Sequence, residues 1–172
     1  MTNEPEGEGW QAKLVTRILA AHKWMPTRFY RIRKEVQTGQ VLPLLAEIGR
    51  ADCSGKDLET ALAVAQVVCC HPKHNNRKLG HALSSVLTGD SGADRFRQFL
   101  SSDFRMAAKQ MLRFAFRAKS EGKPLNLYEM ADLFVLWDKR SSITERYYKR
   151  ENVCKDFYSI RSQQAARPAA GG

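Results

Sequence analysis

The sequence lacks the long apolar runs and the strand patterns that would place it in several large classes of protein. No uninterrupted apolar run is long enough to cross a membrane, and the N-terminus has neither the positive start nor the apolar core of a signal peptide. We therefore expect a cytoplasmic protein with no membrane partner. Alternation of apolar and polar residues is rare, whereas apolar residues recur at roughly 3.6-residue spacing behind recognisable helix starts. The sequence predicts an all-α fold.

Motifs of catalysis are also missing. The 11 glycines never form the phosphate-binding loop of a nucleotide hydrolase, and no pair of histidines flanks a glutamate as in a zinc protease. Acidic residues stand mostly at helix starts, where capping and the helix dipole explain them. We expect no enzyme, no cofactor and no metal site. One catalytic alternative stays open, a metal-dependent nuclease built on four residues whose types would suit zinc: Cys69, Cys70, His71 and His74.

The four cysteines of the 172-residue chain do not have the spacing of a disulfide framework. We expect Cys53, Cys69, Cys70 and Cys154 to be reduced and mostly buried. The hydrophobic content of 43% suffices for the core of one ordinary domain or of two small ones. The acidic segment 1–9 and the pattern-free tail 163–172 are expected to be disordered.

Basic residues outnumber acidic ones by 28 to 18, which gives a net charge of +10 and a sequence pI near 9.7. The excess is concentrated in two stretches. Residues 10–35 carry seven cations against one carboxylate, and residues 71–119 carry ten cations against three. Such a balance favours nucleic acid or another anionic surface as the partner.

A row of cations at helical spacing is the most informative feature present. Arg105, Lys109, Arg113 and Arg117 stand four residues apart in the run 104–119, and no acidic residue interrupts them. At about 100° per residue they share one side of a helix. The opposite side predicts a core face: Ala107, Ala108, Met111, Phe114, Ala115 and Ala118. The alternative interpretation is an ordinary solvated surface, because Lys and Arg are good helix formers.

Aromatic residues near these cations leave two interpretations open. Phe116 falls inside the cationic arc, where it could stack on a base. More often such a ring packs under a neighbouring helix, and we expect Phe116 to belong to the core. The same alternatives apply to Tyr147 and Tyr148.

Several helix starts can be identified from their caps. Asp103 is well placed as the N-cap of the cationic helix. Four pairs have the spacing of a capping box: Ser54–Asp57, Ser91–Asp94, Asn126–Glu129 and Ser142–Glu145. The helix 127–137 behind Asn126 has the strongest core pattern and includes Trp137. Pro26 predicts a break between the first two helices, because it disfavours the helical conformation at Met25.

The order of several short motifs between about residues 24 and 160 resembles the CasB family, the small subunit of the type I-E CRISPR surveillance complex Cascade. Each motif alone is weak, but their order and spacing together are specific. The motifs are Arg28-Phe-Tyr-Arg31-Ile-Arg33-Lys34, Leu79-Gly80-His81-Ala82-Leu83, Arg95-Phe-Arg97-Gln98-Phe99-Leu100, Met111-Leu112-Arg113, and the helix 127–137 followed by Asp138-Lys139.

The resemblance implies an all-α fold of two small helical bundles packed in one elongated chain, here residues 10–100 and 101–162. It further implies a non-catalytic subunit that contacts the guide RNA and the target DNA strand. The subunit would also hold the displaced strand, which stabilises the R-loop in antiviral defence. Its implied partners are the large and backbone subunits of Cascade and a second copy of the chain. The alternative function is a free-standing helical regulator that binds duplex DNA.

Candidate nucleic-acid contacts come from the resemblance and from helical phase. The N-terminal basic motif contributes Arg28, Arg31, Arg33 and Lys34, and the firmest further matches are Arg95, Arg113 and Lys139. Charge and helical phase add Arg97, Lys109, Arg117, Lys119 and Arg140. The chain departs from some relatives at His81, which stands where they have Arg.

Overall fold

A computed structural model describes residues 9–137 and 143–166, and the side chains of all of these except residues 143–149. Nine helices make up most of the described chain, and an isolated bridge between His74 and Leu125 is the only β-type pairing among these residues. The predicted all-α fold is confirmed. The helices are α1 Trp10–Trp24, α2 Pro26–Gln37, α3 Leu42–Glu47, α4 Gly55–Cys70, α5 Leu79–Val86, α6 Gly89–Ser101, α7 Phe104–Ser120, α8 Leu127–Leu136 and α9 Ile143–Ala166.

Spatial contacts between Cα atoms divide the chain into two compact units, residues 1–72 and residues 73–172. The first unit contains α1 to α4, and the second contains α5 to α9. The predicted boundary between residues 100 and 101 lies inside α6 and does not coincide with this division. The helices α5 and α6 fall in the second unit because α5 packs against α9, while the side chains of α6 pack against α9 and α7.

In the first unit, α1 packs against α2 and α4. Leu14 and Ile18 of α1, Ile32 of α2 and Val64 and Val68 of α4 are all buried. The predicted break before Pro26 is confirmed, because α1 ends at Trp24 and Pro26 is the first residue of α2. Proline suits this position because its missing N–H would have no partner inside the helix.

The core of the second unit is aromatic. Phe96 of α6 stacks on Phe157 of α9 with ring centroids 3.8 Å apart, and Phe99 contacts both Phe114 and Trp137. Trp137 is 1% exposed, which confirms the predicted core position. Its indole N–H donates to the carbonyl of Ser102 over 3.1 Å, so the buried polar atom of the ring has a partner.

A glycine allows the close approach of α5 and α9. A Cβ atom at Gly80 would collide with the backbone carbonyl of Val153 and would lie 2.7 Å from the backbone nitrogen of Phe157. Any side chain at this position would therefore push the two helices apart. Glu129 secures the start of α5, because its carboxylate accepts a hydrogen bond of 2.7 Å from the backbone N–H of Leu79.

Two of the predicted caps are confirmed, Ser54 occupies its predicted N-cap position without the predicted side-chain bond, and the cap at Ser91 is wrong. Asp103 accepts a hydrogen bond from the N–H of Met106, and Asn126 accepts one from the N–H of Glu129. Ser54 precedes α4 without any side-chain cap bond. Ser91 lies inside α6, because that helix begins earlier, at Gly89. The predicted box Ser142–Glu145 lies outside the described side chains.

The ends of the chain and its thiols complete the description. Helix α9 continues to Ala166, so residues 163–166 are helical and the predicted disorder is wrong there. Residues 1–8 and 167–172 lie outside the described residues. The prediction of free, mostly buried cysteines is confirmed, because only Cys154 of the four is not buried. In the part of the chain that the structure describes, no helix is long and apolar enough to cross a membrane.

Candidate nucleic-acid interface

Helix α7 has the two faces that its sequence predicts. Arg105, Lys109 and Arg113 are exposed, and Arg117 is half-buried. The opposite face is buried at Ala107, Met111, Phe114, Ala115 and Ala118, while Ala108 is half-buried. The aspartate at the N-cap and the packing of this apolar face hold the helix in place. Its cationic side chains therefore extend from a rigid element.

Several of the basic side chains near α7 have no ion-pair partner within the described ranges. These are Arg95, Lys109, Arg113 and Lys119, and all four are exposed. Four cations that lack carboxylate partners and lie on neighbouring helices repel one another. An anion that binds between them relieves this repulsion and gains charge-assisted hydrogen bonds.

Arg117 differs from its neighbours because it has a carboxylate partner one turn further along. Its guanidinium donates to Glu121 over 3.1 Å, and Lys123 contacts the other oxygen of the same carboxylate at 2.7 Å. Hydrogen bonds from Lys123 and then from Arg117 lower the pKa of Glu121. The cationic row is therefore neutralised in part at its C-terminal end.

A recess of about 360 Å³ in the second unit brings three of the candidate residues together. Arg95 of α6 and Arg113 and Arg117 of α7 line it with two side-chain amides, Gln98 and Gln110. Leu87 and Phe114 complete the lining. Guanidinium and amide donors around one recess suit the oxygens of a phosphate group. Donors that converge on one recess indicate an anion-binding site more strongly than a basic helix face alone does.

Arg97 lies on α6 beside Arg95 but contacts other partners. It pairs with Asp94 over 3.2 Å, and a hydrogen bond with Tyr158 of α9 raises its pKa. The structure therefore separates two arginines that the sequence analysis treated together. Arg95 lines the recess and Arg97 does not.

The N-terminal basic motif, in the other unit, also divides by partner. Arg28 forms an ion pair with Glu47, which accepts a second bond from Arg17 over 3.0 Å. Arg33 is half-buried and interacts electrostatically with the Cys69 thiol, whose pKa burial raises to about 12. Arg31 is exposed and has a long contact of 3.9 Å with Glu35. Lys34 is exposed with no partner among the described residues.

Two further arginines in α9 have structural roles that the sequence analysis missed. Arg150 donates to the carbonyls of Leu100 and Trp137, and its guanidinium lies 3.9 Å from the centre of the Trp137 ring. Arg161 donates to the carbonyls of Leu87 and Gly89. Both residues satisfy carbonyls near helix ends and stabilise the unit itself. The predicted contacts Lys139 and Arg140 lie outside the described residues.

His74 and His81 also have local partners. The N–H of Leu127 donates to Nδ1 of His74, and Nε2 of His74 lies 3.0 Å from the side-chain oxygen of Asn76. His81 lies 3.9 Å from Asp156, which also pairs with Lys78. In the described part of the chain, no group of three or more His, Cys, Asp or Glu side chains is arranged to hold a metal ion.

One prediction about this surface is wrong. Phe116 does not pack into the core but is 57% exposed, near the middle of the solvent-facing side of α7. The spacing predicts its angle on the helix correctly, but no other helix of the described residues covers that side of α7. The ring therefore lies among the exposed cations.

Together, the fold and the basic recess define a small all-α protein whose surface is complementary to a polyanion. The family model of CRISPR-associated protein Cse2 matches residues 17–158. The chain therefore belongs to the Cse2 family, also called CasB, and is a subunit of the CRISPR Cascade complex. The predicted family resemblance is confirmed.

A solved structure supports the same fold. The crystal structure of CasB from Thermobifida fusca aligns with a TM-score of 0.69 and 15% sequence identity, and the alignment covers 88% of this chain and 99% of that one. At this identity the likeness establishes the fold alone. A comparison with curated protein sequences finds no match.

Proposed function

We propose that this Cascade subunit is a non-catalytic clamp that binds nucleic-acid backbones through its exposed cations. It contacts the guide RNA and the target DNA strand and holds the displaced strand, which stabilises the R-loop in antiviral defence. The clamp needs no base readout, because pairing between guide and target reads the sequence. Its contribution is electrostatic and therefore depends on salt.

The observation that carries this proposal is the recess between α6 and α7. Arg95 and Arg113 reach it from different helices and have no carboxylate partner in the described ranges, so both are available for phosphate oxygens. Lys109 and Lys119 extend the same charge along α7. Arg117 contributes less, because Glu121 already holds it.

The remaining candidate residues differ in how far they are free to contact nucleic acid. Arg31 and Lys34 form a second, exposed patch on the first unit, whereas Arg28 and Arg33 mainly support that unit. Arg97 adds positive charge outside the recess, and Lys139 and Arg140 stay predictions. The family membership favours the Cascade role over the alternative of a free-standing regulator that binds duplex DNA. The large and backbone subunits and a second copy of the chain are the proposed protein partners.

The test is recovery of the protein from its native cells by affinity purification, with the co-purifying proteins and RNA identified together. We expect a ribonucleoprotein that carries uniform guide RNAs. The Arg113→Glu variant should enter this complex yet release target DNA at lower salt than the wild type. The matched control is Lys155→Glu, which makes the same charge change at an exposed cation of α9. Recovery of the chain alone, or equal behaviour of the two variants, would contradict the proposal.

A further inference from the structure

Exposed apolar side chains in the second unit are concentrated on the basic face of α7. Among the side chains that the structure describes after Lys73, two large hydrophobic ones are exposed, Phe116 at 57% and Met106 at 47%, and both belong to this helix. A single exposed apolar residue needs no explanation. Two of them on the same helix face as Lys109 and Arg113 call for a physical reason.

Helical geometry places these residues in one stripe. Met106, Lys109, Arg113 and Phe116 follow one another at spacings of three, four and three residues. Such spacings keep side chains on one face, and the stripe runs about 15 Å along the axis. Phe116 lies about 20° around the helix from Lys109 and about 60° from Arg113. Arg113 lies one turn from the ring on one side and Lys119 one turn on the other, while Lys109 lies two turns away on the same face.

Arg113 connects this stripe to the phosphate recess. Its guanidinium lines the recess with Arg95 and Gln98, while its position on α7 is one turn from Phe116. A strand whose phosphate occupied the recess would carry its adjoining base toward the exposed ring. Phosphate donors beside an aromatic face are the usual composition of a single-strand site.

Phe, Met and Arg are common at protein interfaces, but the two lysines on this face argue against a protein partner. The buried centres of protein interfaces are depleted in lysine, because burial of its charge is costly. Here Lys119 lies one turn from the ring and Lys109 two turns from it, and neither has a carboxylate partner in the described residues. A polyanion that also offers a flat apolar face satisfies the cations and the ring together.

We propose that Phe116 is a stacking platform for an unpaired base of a single strand whose phosphates are held by Lys109, Arg113 and the recess. This inference rests on the proposed function and deepens it. Bases in a duplex are already stacked on their neighbours, so the ring can contribute only to single-stranded nucleic acid. Phenylalanine offers no hydrogen-bonding group, and the platform accepts any base.

The test compares single-stranded and duplex DNA of one sequence, bound to the purified full-length protein at low salt. Phe116→Ala should weaken single-strand binding by about 5- to 150-fold and leave duplex binding unchanged. Phe116→Trp should restore single-strand binding, because it restores an aromatic face. A strand that contains 2-aminopurine should be quenched by the wild type and by Phe116→Trp but not by Phe116→Ala.

Arg113→Ala separates failure of this inference from failure of the proposed function. If Arg113→Ala weakens binding of both DNA forms and Phe116→Ala weakens neither, the phosphate clamp stands and the stacking platform is wrong. If the wild type binds neither form, or Arg113→Ala changes nothing, the proposed function itself fails. If Phe116→Ala instead blocks assembly with other Cascade subunits while single-strand binding is intact, the ring is a protein contact and the inference is overturned.

Discussion

Helices α7 and α9 belong to the same unit and are both rich in basic residues, yet their cations do different things. Arg150 and Arg161 of α9 donate to backbone carbonyls near helix ends and lie over the rings of Trp137 and Phe157. Lys109 and Arg113 of α7 have no such partner among the described residues. These arginines of α9 therefore support the fold, whereas Lys109 and Arg113 of α7 remain available to a ligand.

This comparison shows that charge alone does not identify a binding surface. What separates the two helices is whether the unit's own acceptors already hold each cation. A guanidinium that satisfies buried carbonyls cannot be withdrawn without leaving those groups unpaired. An exposed guanidinium with no internal acceptor can be lost with little effect on folding.

The largest expected effect concerns the ring beneath Arg150. Trp137→Ala should lower the free energy of unfolding by about 3–5 kcal/mol, because it opens a cavity in the aromatic core. Urea denaturation followed by circular dichroism measures this change. A loss below about 1 kcal/mol would contradict the core assignment of Trp137.

Arg150→Ala should lower the free energy of unfolding by about 2–4 kcal/mol, because two carbonyls lose a charged donor and Trp137 loses its cation. The double variant with Trp137→Ala should lose less than the sum of the single losses, since the two side chains share one interaction. If Arg150→Ala were as stable as the wild type, the claim that this arginine of α9 supports the fold would be wrong.

Arg95→Glu should show the opposite pattern. We expect its unfolding free energy to stay within about 0.5 kcal/mol of the wild type, because the side chain is exposed and has no partner to lose. Nucleic-acid retention should fall, because a carboxylate replaces a phosphate donor in the recess. Unfolding of this variant, or normal retention, would show that Arg95 does not belong to the clamp.

The smallest expected effect concerns the partner of Arg117. Glu121→Gln removes the carboxylate that holds this arginine, so it should tighten nucleic-acid binding by about the few-fold effect of one surface ion pair. Glu151→Gln is the matched control, because it makes the same charge change beside Lys155 on α9. Equal tightening by both variants would indicate a general effect of net charge.

Acidification should mimic Glu121→Gln. The lowered pKa of Glu121 means that its ion pairs contribute to stability above the ordinary glutamate pKa and are lost as the pH falls through the lowered value. Protonation then frees Arg117 for phosphate. As the pH falls through the lowered pKa of Glu121, nucleic-acid binding by the wild type should therefore tighten more than binding by Glu121→Gln.

Local pattern predicts much of this molecule. Apolar spacing gives the faces of α7, and the side chains of Asp103 and Asn126 cap the helices that follow them as expected. These features depend on residues within one or two turns. The partner of Arg117 was also within reach, because Glu121 stands four residues further along.

Long-range contacts account for the errors about which cations are available. Arg28 pairs with Glu47 and Arg150 contacts Leu100, at separations of 19 and 50 residues that no local spacing reveals. The recess needs α6 and α7 in contact, so Gln98 and Gln110 could not be assigned from sequence. Spacing also gives the angle of Phe116 on its helix but not whether another helix covers that angle.

The most direct test of the central claim is the salt dependence of DNA retention by reconstituted Cascade that contains this subunit. Wild type should be compared with a triple variant, Arg95→Ala, Lys109→Ala and Arg113→Ala. If these cations hold phosphates of a single strand, the slope of log affinity against log salt should become shallower by about 2. An unchanged slope in a complex that assembles normally would contradict the account.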